Sequence, residues 1–189
     1  MGQIFEFIAD AALEVLDDYY TECHVCNSTG VDLYTYQGKL MLEDGTVDDD
    51  IYAVCADCIK TQPLIPSGEW AYSQTIRDYL TAQQTTPQAY DALLQKLLKQ
   101  YRQTPQLPLF LQYDDRPLCC NTLTEFTGYP ADEKELFHIT ENNTYWEKQV
   151  AEKSEYMDFR KYGLPEGERD IAAFRCPACN KAYFTFQFT

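Results

Sequence analysis

Every cysteine of this chain falls into one of four close pairs: Cys23/Cys26, Cys55/Cys58 and Cys176/Cys179 are C-x-x-C, and Cys119 and Cys120 are adjacent. A thiolate is a soft anionic ligand, and two intervening residues let one tight turn aim both sulfurs at a single tetrahedral ion. Three such knuckles predict structural zinc, with the fold organised around it. The competing explanation is a disulfide framework in an exported protein. The opening residues lack a basic segment and carry Glu6 and Asp10 within their apolar stretch, so they read as neither a signal peptide nor a membrane span. The expectation is a cytoplasmic protein without membrane contact, in a reducing compartment where eight cysteines favour metal. With 189 residues and 45% hydrophobic composition, the chain can build a core without covalent help, so metal acts as a local staple.

Charge narrows the function classes. Residues 1–58 hold 13 of the 30 acids against one base, Lys39, a net −12, whereas the remaining residues carry only −3 of the total −15. Zinc modules that bind nucleic acid are basic, because phosphate neutralisation supplies most of their non-specific affinity. This first module would be repelled by DNA or RNA. Its field instead suits a cationic partner.

Coarse periodicity predicts an α+β fold with zinc-ribbon or treble-clef-like modules near both ends and a helical middle region. Ile4, Ile8, Ala11, Val15 and Tyr19 recur at helical spacing and predict an amphipathic helix over about 3–20. After the first knuckle, residues 31–36 and 39–42 flank Gln37-Gly38 and read as a β-hairpin, with Asp48-Asp49-Asp50 in the following loop. A hydrophobic run, 51–54, leads into Cys55 and Cys58, with a short helical turn from Cys58. Helices are predicted over about 68–82 and 87–101, the second opened by Thr86-Pro87 and carrying Leu93, Leu94, Leu97, Leu98 and Tyr101. Further along, 109–113 reads as a short strand, 144–162 as a helix, and 171–188 as strand, knuckle and alternating strand. The organisation is then 1–62 as acidic helix plus first zinc module, 63–105 as helical segment and 106–189 as second zinc module, packed as one unit.

The first zinc site is predicted to use Cys23, Cys26, Cys55 and Cys58. The last knuckle supplies only Cys176 and Cys179, so a second site must draw on Cys119 and Cys120, with His138 as the alternative fourth ligand and His24 as a bystander. Two zinc ions are expected. An all-cysteine site has no open coordination position for a water or substrate, and the sequence holds two histidines, no G-x-S-x-G and no phosphate-cradling glycine loop. The expectation is therefore a binding protein and not an enzyme.

Four segments carry a family resemblance. They are Cys23-x-x-Cys26 before a tyrosine-rich stretch, Cys55-Ala56-Asp57-Cys58-Ile59, the spacing Gln112-(x)7-Cys120-(x)5-Phe126-x-Gly128, and Phe174-Arg175-Cys176-x-x-Cys179. In this order the chain resembles a divergent member of the CbrC-like family of bacterial proteins, which is associated with colicin tolerance. It departs from that pattern with Arg116 in place of a tryptophan and Thr122 in place of an aspartate. The resemblance implies an immunity protein that binds and neutralises a cationic, nuclease-type toxin domain. Candidate contacts are Glu43, Asp44, Asp48, Asp49, Asp50, Tyr34 and Tyr36. The alternative is a stress-response regulatory zinc module whose partner is a host protein.

Overall fold

Strand β1 (Leu33–Met41) alternates inward Tyr34, Tyr36 and Gly38 with outward Gln37 and Lys39, the period of two that a half-buried strand requires. It pairs antiparallel with β2 (Val47–Cys55), and the chain then enters helix α1 (Ala56–Thr61) and the short strand β3 (Leu64–Pro66). The resulting sheet has the order β2-β1-β3. The computed structural model describes residues 1–110, 114–146, 159–163, 165 and 169–187.

The hairpin turn lies later than the sequence reading placed it. Gln37-Gly38 sits inside β1, and the reversal occurs at Leu42–Thr46, where Gly45 takes φ 83° and Asp44 Oδ1 accepts from both the Thr46 amide and hydroxyl. Gly38 is required by contact instead of by turning. A Cβ there would stand 2.7 Å from the Ile65 carbonyl oxygen and 2.8 Å from Tyr36 Cε1. Asp48, Asp49 and Asp50 consequently lie on β2 and not in a loop, all three exposed on the edge strand of the sheet. Charge on an edge strand blocks pairing with another chain.

The expected helix over 3–20 does not form; that stretch holds only one 3-10 turn, Asp10–Ala12. Its backbone is engaged elsewhere. Phe126 N donates to Phe7 O and Ala9 N to Phe126 O, a parallel bridge to strand β6 (Glu125–Gly128) that a helix would break. The buried residues are Phe5, Phe7 and Ile8, whereas Val15 and Tyr19 of the supposed apolar stripe are 50% and 82% exposed. Extended, the segment works as a strap. Phe5 meets Tyr34 edge-on at 5.0 Å, Ile8 joins the same core, and Phe7 enters the helical core.

The middle helices follow the sequence reading closely. Helix α2 (Glu69–Ala82) buries Tyr72, Thr75, Ile76 and Leu80, and α3 (Pro87–Arg102) buries Leu94, Leu97, Leu98 and Tyr101. Tyr72 and Tyr101 stack at 4.5 Å, and Arg102 Nε and Nη2 each donate to the Glu69 carboxylate at 2.6 Å, a two-pronged clasp between the helices. Arg116, buried close by, donates through Nη1 to Phe7 O at 3.1 Å and through Nη2 to Leu107 O, while Tyr72 donates to its carbonyl. It thus fastens the strap to the helical layer.

Strands β4 (Leu118–Cys119) and β5 (Thr122–Leu123) form a minimal hairpin. A larger sheet follows with the order β6-β8-β9-β7, built from β6, β7 (Thr144–Tyr145), β8 (Ile171–Arg175) and β9 (Ala182–Phe186), with β7 parallel to β9. Helix α4 (Glu133–Asn142) covers this sheet and was absent from the sequence reading. Its start is nonetheless written in the chain: Asp132 accepts from Glu135 N and the Glu135 carboxylate accepts from Ala131 N, a variant of the capping box. The expected helix over 144–162 is corrected at its start, where Thr144 and Tyr145 are strand. Its end agrees, since Phe159–Tyr162 is helical, α5, while 147–158, with Val150 and Tyr156, lies outside the described residues. Leu109 and Phe110 are not strand, and 111–113 also lies outside them. The main core runs unbroken from the first sheet through Phe5 and Ile8 to Phe126, Phe174 and Tyr183, so residues 1–62 and 106–189 share one interior. The architecture is α+β with a four-cysteine cluster near each end. Among the described residues no helix is long and apolar enough to cross a membrane.

Candidate metal centres

The eight cysteines gather into two groups of four, Cys23, Cys26, Cys55 and Cys58, and Cys119, Cys120, Cys176 and Cys179. Within each group the sulfurs all lie within 4.8 Å of one another. Cys26 and Cys55 are 3.9 Å apart, Cys119 and Cys120 3.8 Å, and Cys119 and Cys179 3.6 Å. Four thiolates around one ion at a metal–sulfur distance of about 2.3 Å would stand about 3.8 Å apart, the edge of that tetrahedron. The donor set and its spacing therefore fit a tetrahedral, thiophilic ion at each centre, and all eight thiols are free of disulfides.

The first centre combines three elements. Its knuckle turns at Asn27, whose φ of 57° lets its amide donate back to Cys23 O at 2.8 Å while Cys23 N donates to Ser28 O. Cys55 closes β2 and is the residue before α1, and Cys58 sits in that helix's first turn. Knuckle, hairpin and helix start make this the treble-clef arrangement of the two that the sequence allowed. The Cys55 amide also donates to Cys23 Sγ at 3.3 Å, tying the end of β2 to the knuckle.

The last knuckle repeats the first. Asn180, at φ 59°, donates to Cys176 O, and Cys176 N donates to Lys181 O. The shared string is C-x-x-C-N, and asparagine tolerates left-handed backbone better than most residues. Cys119 and Cys120 complete the second centre because β4 and β5 are joined by a two-residue turn, Cys120-Asn121, with φ of 52° and 55°. Two successive positive φ values define the tight hairpin turn that brings neighbouring side chains to one side. His138 is not a ligand: it is exposed on α4 and engaged by the Asn142 amide. His24 is a bystander, as expected. Tyr52 N donates to its Nδ1, which fixes the ring beside the knuckle without joining it to the sulfurs.

Thiol acidities within each group diverge in the way crowded donors must. Hydrogen bonds from the Ser28 side chain and amide lower Cys26 to about 6, while burial pushes Cys58 and Cys55 up. In the second centre the Lys181 amide lowers Cys179 to about 7, burial pushes Cys119 up to about 12, and the hydrogen bond with Cys179 raises Cys120. Four thiolates this close repel one another. A divalent cation removes the repulsion, which is what such a cluster is suited to hold.

The other candidate residues separate by exposure. Glu43, Asp44, Asp48, Asp49 and Asp50 are all exposed on the β1–β2 hairpin. Hydrogen bonds from Thr46 to the Asp44 carboxylate hold its pKa below the usual carboxylate range. Tyr34 and Tyr36 are corrected: they are 2% and 0% exposed, and Tyr36 donates its hydroxyl to Arg102 O, so they are core residues with no face to offer a partner. Arg116 and Thr122 are likewise buried; Thr122 meets Gln100 of α3. No protein-family model matches the chain, and no curated protein or solved structure matches it either.

Proposed function

We propose that the chain is a zinc-binding acidic protein that captures a cationic protein, of the kind a nuclease-type bacterial toxin domain represents, and so acts in toxin tolerance. The observation that supports this reading most is the placement of Glu43, Asp44, Asp48, Asp49 and Asp50 on one exposed hairpin whose far end is clamped by the first cysteine cluster. Zinc is the ion proposed for both clusters, since tetrahedral four-thiolate sites are its common structural form. Closed sites of this type hold shape and leave no position for a substrate. The acidic hairpin would then present a field complementary to the nucleic-acid-binding face of a basic nuclease. Complementary charge speeds encounter and sets orientation. The resemblance to the CbrC-like family, with its association with colicin tolerance, points the same way.

The test is direct. The zinc-loaded protein is titrated into a basic nuclease toxin domain at low and at physiological salt, with nuclease activity as a second readout. Saturable binding that weakens steeply with salt, together with loss of nuclease activity, is the expected result. Absence of binding at low salt across a panel of such domains would remove the proposal. Binding that leaves the nuclease fully active would confine it to docking without neutralisation.

A further inference from the structure

The first module carries a second surface feature beside its acids. Tyr19, Tyr20, His24 and Tyr52 form an open cluster of rings in which Tyr20 is the hub. Its ring centroid lies 5.0 Å from Tyr19 at an edge-on 85°, 5.2 Å from Tyr52 and 5.9 Å from His24. Tyr19 is 82% exposed and the other three rings are half-buried, so the cluster faces solvent. The backbone beneath it is tied down. Asp17 Oδ1 accepts from Tyr19 N, His24 N donates to Ala53 O, and Tyr52 N donates to His24 Nδ1. Rings held in this way reach a partner with little ordering cost.

Charge surrounds the rings. Asp17 and Asp18 precede them and Glu22 lies between them in the chain; Asp50 sits against His24, with its carbonyl oxygen 3.3 Å from Nδ1. Lys39 is the only base in residues 1–58. Electron-rich ring faces among carboxylates favour one class of ligand, an organic cation, which gains ring-quadrupole attraction and Coulomb attraction together. The knuckle that carries His24 and the strand that carries Tyr52 are both ends of the first cysteine cluster, so metal binding there would set the ring geometry.

We infer that this cluster is the receptor for a lysine or arginine side chain of the cationic partner, with the neighbouring carboxylates of β2 guiding it in. The inference rests on the proposed function and names the contact that the buried Tyr34 and Tyr36 cannot supply.

A hexa-arginine peptide is the probe. Because the chain has only two histidines, ring NMR signals give one reporter inside the cluster, His24, and one outside it, His138. Titration is expected to move His24 and leave His138 in place. Tyr20→Ala should weaken the peptide about tenfold and the exposed Tyr19→Ala about threefold, while Tyr20→Phe, which keeps the ring, should bind nearly as the parent does. Trp70→Ala, which removes an aromatic 88% exposed on α2, should change nothing. If Asp48→Asn, Asp49→Asn and Asp50→Asn together abolish binding while Tyr19→Ala and Tyr20→Ala bind as the parent does and His24 stays still, the ring receptor is overturned and the acidic docking face stands. If the peptide fails to bind at low salt, both fall.

Discussion

The two cysteine centres have the same donors and the same C-x-x-C-N turn, yet they sit at different depths. In the first, Cys23, Cys55 and Cys58 are buried and only Cys26 is exposed; in the second only Cys176 is buried, Cys119 is intermediate, and Cys120 and Cys179 are exposed. The first joins a knuckle, the end of β2 and the start of α1 beneath a three-stranded sheet. The second joins two hairpin tips. Identical ligand chemistry therefore serves two mechanical roles, an internal staple and a surface clasp. Depth and not donor type sets how much of the fold each one carries.

The sharpest way to break that contrast is to remove one ligand from each. Cys58→Ser leaves three thiols around a buried centre and is expected to cost at least about 4 kcal/mol, lowering the zinc content and the melting temperature together. Cys120→Ser should lower the zinc content with a much smaller change in melting, because β4–β5 keeps its hold on α3 through Gln100 and the Leu123 amide. Metal analysis beside circular-dichroism melts reads both. Equal melting losses would show that the second centre is as integral as the first.

Acid should separate the centres too. Cys55 and Cys58, and in the second centre Cys119 and Cys120, have pKa values raised above the ordinary thiol value, so the metal-free protein still holds those protons at pH 7. Zinc must expel them. The metal-free state thus binds more protons, and lowering the pH favours it, with affinity falling at least about a hundredfold per unit at each site. A further proton adds below about 7 at Cys179 but only below about 6 at Cys26, so the dependence steepens first at the second centre. Competition titrations with a chromophoric chelator between about pH 5 and 8 should show the second ion leaving at the higher pH. Release in a single step would remove the distinction.

Gly38 offers a test confined to the first module. Gly38→Ala places a methyl 2.7 Å from the Ile65 oxygen between β1 and β3 and should cost about 2 kcal/mol without changing the zinc stoichiometry, read as a lowered denaturation midpoint. A neutral substitution would mean that β3 can shift away from the sheet.

Much of this was legible in the chain, and the failures share a cause. The two long helices α2 and α3, the C-terminal hairpin and the grouping of the cysteines follow from local signals: apolar spacing, Pro87 at a helix start, C-x-x-C turns. The N-terminal segment failed because its apolar residues satisfy helical spacing by chance, while its backbone is claimed by β6, a long-range partner no local pattern reveals. The Gln37-Gly38 turn failed because glycine serves close approach as well as turning, whereas the actual turn, with Asp44-Gly45, carried the stronger signal. Tyrosine abundance could not separate the core Tyr34 and Tyr36 from the open Tyr19, Tyr20 and Tyr52; only alternation along β1 does that, once its register is known.

The smallest expected effect bears on what the two centres have in common. Asn27 and Asn180 each follow a knuckle at φ 57° and 59°, a backbone region that costs a side chain with a Cβ roughly 1 kcal/mol and that asparagine bears better than alanine. Asn27→Ala and Asn180→Ala should therefore each destabilise by about 0.5–1 kcal/mol, while glycine at either position should be nearly neutral. Local strain is paid at the turn itself, so depth should not matter in the metal-loaded protein, and the two alanine variants should match. In the metal-free protein they should diverge. The exposed second knuckle can relax without its ion, whereas the first remains pinned to β2 by His24 N to Ala53 O beneath the sheet. Paired denaturation of both variants, with and without zinc, reads the difference. Equal penalties in the metal-free state would mean that the second knuckle keeps its shape unaided, and that the clasp is as preformed as the staple.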